Sequence, residues 1–198
     1  MLIKLLSDSD KKHLIELAQL LALADKPLLW GGKTADEFTS DTDLSTLSIQ
    51  EGEQERELIA ELKQSIGSRP TGWFGEMASL DTNPFNSFAD VESRLINVLK
   101  TFTIPEAKKP ETRVQAATTI LKRLLSGKKF ELPSTPKVIL FELILVALRD
   151  GNISSIEWAL LKEFQLHHQL EDFIFDDLLE RAETLNQEVS KTISIILE

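Results

Sequence analysis

The chain has 198 residues, 42% of them hydrophobic, enough for one substantial core. It contains no cysteine, which excludes disulfides, thiolate metal sites and cysteine catalysis. A net charge of -10 argues against a duplex nucleic-acid binder, whose contact surface needs a positive field.

The opening MLIKLLSDSDKKH has a short apolar patch with no small-residue cleavage signature behind it, so no secretion signal is expected and a cytoplasmic location is. Ser7-Asp8-Ser9-Asp10 supplies N-cap candidates and first-turn carboxylates for a helix that is apolar on nearly every face and ends near Asp25. Pro27 stops it, and residues 27–50 read as a long loop with Trp30 and Phe38 as its large apolar residues. Helix is expected to resume at Ser48, where Ser48 and Glu51 have capping-box spacing, and to close at Gly67. Residues 68–87 read as a second loop, with Trp73, Phe74 and Phe85 plugging the core edge.

Two middle helices follow, about 87–103 and 111–126, broken by Pro105 and Pro110. Thr135-Pro136 then starts a helix through VILFELILV. Val138 to Leu148 is apolar except for Glu142, but is far shorter than the roughly 20 residues that span a bilayer. Two more helices, from Ser154 and from about Glu171, complete an all-α reading of about seven helices with no strand.

An internal repeat organises this list. LIELAQLLALAD (14–25) aligns with ILFELILVALRD (139–150), placing Asp25 on Asp150, and Leu47-Ser48-Ile49-Gln50-Glu51 is similar to Ile153-Ser154-Ser155-Ile156-Glu157. Each copy would be buried helix, acidic turn and capped helix. The second copy, with its Asp-Gly turn, Ile-Ser-x-x-Glu and following Leu-rich and acidic helices, resembles the TerB-like domains of the tellurite-resistance family. That resemblance implies a single all-helical domain over 1–198, with copies at about 7–67 and 135–186 and a helical insertion at 68–134. It further implies an acidic, metal-binding surface in a bacterial stress response, without catalysis. In the first copy Asp25 is followed by Lys26-Pro27 instead of Gly, so that turn must differ.

Residues 150–157, from Asp150 to Glu157, match positions 5 to 12 of an EF-hand loop, including Gly151 and Glu157. The first two ligand positions fall on Val146 and Leu148, which offer no oxygen. A hard divalent cation such as calcium or magnesium would therefore need donors from the first copy, giving the set Asp25, Glu51, Asp150, Asn152 and Glu157. The simpler reading is that Gly151 makes a positive-φ turn and that Ser154 and Glu157 form a capping box.

Gly31-Gly32-Lys33-Thr34 is a poor match to a phosphate loop and reads as a surface turn. His13, His167 and His168 carry no catalytic pattern and read as ordinary helix residues. Lys108, Lys109, Arg113, Lys122, Arg123, Lys128 and Lys129 form a basic run, expected to face the acidic ends of the same protein or to dock an acidic partner, RNA or anionic lipid. Ile193, Ile195, Ile196 and Leu197 are expected to close the core, with a self-association or partner site as the alternative. The function expected is a non-catalytic interaction or scaffolding module with a protein partner. The rival is a metal-dependent hydrolase built on the acidic set.

Overall fold

The computed structural model describes residues 2–50, 52, 57, 60, 61 and 86–197. Among the described residues there are seven α-helices: α1 (Asp8–Ala24), α2 (Asn86–Leu99), α3 (Ile104–Ala107), α4 (Pro110–Ser126), α5 (Thr135–Ala147), α6 (Ser155–His167) and α7 (Asp172–Leu197). The protein is all-α, apart from a small antiparallel pair of strands, β1 (Leu28–Trp30) and β2 (Leu47–Ile49).

Helix α1 is the centre. Leu14, Leu17, Ala18, Leu20, Leu21 and Leu23 are buried around its circumference, because α2, α4, α5 and α6 all pack on it. A helix apolar on every face has no stable position except inside. Its counterpart α5 buries Ile139, Leu140, Leu143 and Ile144, and lies between α1, α6 and α7. The middle helices α2 and α4 thus form half of the wall around α1, and one hydrophobic cluster runs through the molecule.

The helix starts are chemically explicit. Ser7 Oγ accepts from the Asp10 backbone N–H at 3.2 Å, and Lys128 of the α4–α5 connector reaches Asp10 Oδ1 at 2.8 Å. Prolines 105 and 110 each sit in the first turn of a new helix, as expected of residues without a donor. Helix α5 starts at Thr135, one residue earlier than Thr135 as a cap would place it. Glu142 is fully buried on α5 and accepts the Leu2 backbone N–H, tying the first turn of the chain to the core. Burial pushes its carboxyl above the usual range, against that hydrogen bond.

The helix expected to begin at Ser48 is instead a strand. Leu28, Leu29 and Trp30 pair with Ile49, Ser48 and Leu47, and the alternating Leu28, Trp30, Leu47 and Ile49 are buried while Leu29 and Ser48 are half-buried. Gly31 and Gly32, with φ of 56° and 78°, make the tight turn in which Trp30 and Lys33 exchange backbone hydrogen bonds. This fixes their role as structural. The chain is helical again at Glu57, Ala60 and Glu61, so the first repeat copy departs from the second by the strand inserted before its second helix. Glu51 and the aromatics Trp73, Phe74 and Phe85 lie outside the described residues.

Helix α6 ends in a left-handed residue that is not glycine. Gln169 has φ 53°; its N–H donates to the Leu166 carbonyl and the Leu170 N–H to the Gln165 carbonyl, the paired bonds of a Schellman ending. Gln169→Gly should raise the unfolding free energy by about 1 kcal/mol, because glycine adopts this conformation without the Cβ penalty. In the same urea titrations Leu20→Ala should cost about 2–5 kcal/mol through the cavity left in the centre of α1. Ile195→Ala, on the exposed end of α7, should change stability by less than about 0.5 kcal/mol.

Candidate functional site

One end of the α1–α5 pair gathers charge. The turn after α5 runs through a short 3-10 turn, Leu148–Asp150, into Gly151 at φ 84°. Ser154 then opens α6: its Oγ accepts from the Glu157 N–H at 3.2 Å, and Glu157 Oε2 accepts from the Ser154 N–H at 2.8 Å. Opposite, α1 ends at Asp25. Arg113 of α4 is buried there, and its Nη2 donates to the Leu23 carbonyl at 3.4 Å, placing positive charge on the open carbonyl end of α1.

Lys26 occupies the middle. Its ammonium lies 3.9 Å from Asp25 Oδ1 and 3.9 Å from Asp150 Oδ2, bridging the ends of the two repeat copies. Burial pushes the Glu157 carboxyl up to about 6 despite its hydrogen bonds from Ser154; Asp25 repels it further and Lys26 offsets that in part. Burial likewise pushes the Arg113 guanidinium down, with Asp25 opposing. Arg149 carries the network outward, 4.0 Å from Glu57 and 3.9 Å from Glu61.

The structure therefore brings together three of the five predicted ligands, Asp25, Asp150 and Glu157, and adds two cations that the sequence did not place there. Asn152 is exposed on the turn and Glu51 lies outside the described residues. The donors among the described residues, Asp25, Asp150, Asn152 and Glu157, do not by themselves make a divalent-ion site. Among the described residues no group of three or more His, Asp or Glu side chains could hold a metal, Glu157 is engaged by the Ser154 backbone, and the charge between Asp25 and Asp150 is the tethered ammonium of Lys26. A small surface notch, lined also by Ala22, Val146 and Arg149, adjoins Lys26, Asp150 and Glu157.

His13 and His168, far apart in sequence, converge on Phe130. His13 of α1 is 6.0 Å from that ring and His168 is 5.1 Å from it, with His167 stacked edge-on at 4.8 Å from His168. Burial, then His167 and His13, push His168 down to about 4, so at neutral pH it is an uncharged, half-buried ring. The basic run is mostly exposed, and part of it pairs with acidic residues of the same chain: Lys108 with Asp36 at 3.6 Å, Lys122 with Glu163 at 3.3 Å and Lys128 with Asp10.

The apolar end of α7 is the longest run of exposed large hydrophobics among the described residues. Ile193, Ile195, Ile196 and Leu197 do not close the core; all four are exposed, as are Leu185 and Val189. Phe175 and Ala182, earlier on α7, are fully buried against the body, and Asn186 Nδ2 donates to the Leu148 carbonyl at 3.0 Å, the last polar tether before the helix runs free of the core. The spacing was visible in the sequence; which half of the helix the body covers was not.

The chain matches no protein-family model, no curated protein and no solved structure.

Glu157 gives the junction a measurable pH signature. Its folded value of about 6 against an ordinary 4.5 means that the folded state binds the extra proton, so its contribution to stability is present below pH 4.5 and lost as pH rises through 6. Glu157→Gln keeps an acceptor for the capping box and removes the buried charge. The variant should be more stable than wild type at pH 7, and this advantage should vanish by about pH 4.5 in paired urea titrations.

Proposed function

We propose that this protein is a non-catalytic helical interaction module whose docking element is the free end of α7. The observation that carries the reading is the row of exposed aliphatic side chains, Leu185, Val189, Ile193 and Ile196, on a helix whose earlier turns are anchored in the core. Apolar side chains clustered on one helix face outside the core are the usual mark of a protein contact. The resemblance of the Asp150 to Glu157 segment to TerB-like domains supports the same class of role, in a bacterial stress response.

The rival, a divalent-cation-dependent hydrolase using Asp25, Glu51, Asp150 and Glu157, is less well supported. Lys26 stands between Asp25 and Asp150, so its ammonium already meets the charge that a bound cation would have to meet there. Among the described residues no helix is long and apolar enough to cross a membrane.

Immobilised wild-type protein should retain a defined set of proteins from a native-host extract, and Val189→Asp combined with Ile193→Asp should lose that set. Arg123→Glu combined with Lys129→Glu, on the exposed basic run, should keep it. Retention that follows the basic residues and ignores α7 would reject α7 as the docking element.

A further inference from the structure

Phe175, Ala182, Val189 and Ile196 stand seven residues apart on α7, and Leu179, Asn186 and Ile193 form the second row of the same heptad. A repeat of this kind keeps one seam facing a partner helix along its whole length. The first half of the seam already has its partner: Phe175 and Ala182 are fully buried, on the side of α7 that packs against α5. Beyond Asn186 the seam continues without one among the described residues, with Val189 48%, Ile193 50% and Ile196 74% exposed. Knobs at three- and four-residue spacing interlock with another helix, so the missing partner is a helix rather than an extended peptide or a flat surface.

Building on the α7 interaction reading, we infer that the partner is a second copy of this chain, the free ends of two α7 helices pairing through Val189, Ile193 and Ile196. Charge decides between self and foreign helices. In heptad pairs the residues flanking the seam select the partner by their charges, and like charges there keep identical helices apart. Here the flanking positions along the free end are Leu185, Ser190, Thr192 and Leu197, none of them charged. Between Asn186 and Leu197 the only charged residues are Glu188 and Lys191, which neutralise each other at 2.7 Å, and Glu198 follows at the end of the sequence. A chain carrying -10 thus presents, from Val189 to Ile196, a seam whose flanking positions carry no charge to hold two copies apart.

Size and order agree with self-pairing. Burying the aliphatic side chains from Leu185 to Leu197 on both copies removes roughly 1,000 Å² in total, near the lower limit of a specific interface. The helix needs no new nucleation, because its first turns are already held by the core. The pair should accordingly be concentration-dependent, populated at micromolar and higher chain concentrations.

Sedimentation equilibrium of the full chain over a range of concentrations tests this. The wild type should rise from the monomer mass toward twice that mass as concentration increases, and Val189→Asp combined with Ile193→Asp should remain at the monomer mass with an unchanged melting temperature. Should that variant lose helix by far-UV circular dichroism, Ile196→Gln, which removes one knob without adding charge, should weaken association at least several-fold. A wild type that stays monomeric at every concentration, or variants that associate as tightly as wild type, would overturn self-pairing. A monomeric wild type whose retained proteins still disappear with the α7 substitutions would overturn only the second copy and leave the interaction module standing.

Discussion

Everything in this molecule depends on burying two helices that are apolar on all faces. α1 and α5 pack against each other, and from His13 and from Val138 onward every side chain of the two is buried or half-buried. The other elements follow as covers: α2 and α4 enclose α1, α6 lies against α1, α4 and α5, and the first half of α7 covers α5. Burial of this pair also fixes where polar chemistry can occur, namely at the helix ends, where open backbone groups must find partners. The Asp25 and Asp150 ends of the two helices lie close enough for one lysine to serve both.

That placement explains the acidic motif better than a ligand does. Near Asp25, Asp150 and Glu157 a positive charge is required, because burial already pushes one carboxyl up to about 6. Lys26 and Arg113 supply it from inside the chain, with Arg113 also capping the carbonyls of α1. Lys26 marks the departure of the first copy from the second, since it stands where the second copy has Gly151. The difference that breaks the turn pattern is thus the same residue that balances the carboxylates.

Much of this was legible in residue order. All-round apolar periodicity gave α1 and α5, proline positions gave the breaks around α3 and α4, and Ser154 with Glu157 gave a capping box that the structure shows in both directions. What was not legible was non-local. Ser48 and Glu51 have the same capping spacing as Ser154 and Glu157, yet Leu47 and Ile49 pair with Leu28 and Trp30, and a partner strand some twenty residues upstream outweighs a local cap. Gln169 ends α6 in a conformation for which glycine is the sequence signal. The histidines meet because α1, the connector before α5 and the end of α6 are brought to one place, a fact no spacing contains.

The end of α7 shows the same limit from the other direction. An aliphatic row near a chain end is most simply read as core, because such residues gain about 1.5–3 kcal/mol each when buried. Here the core is closed before them. Phe175 and Ala182 complete the contact with the body, Asn186 secures the helix to the Leu148 carbonyl, and the following three turns extend past it. The same tether joins the two features of interest: Leu148 begins the turn that carries Arg149 and Asp150 into the charged junction. A change in how the free end of α7 is held would therefore act on the residue that starts that turn, through one hydrogen bond and one helix. This physical continuity makes the junction a support for α7, the helix whose free end carries the exposed aliphatic row.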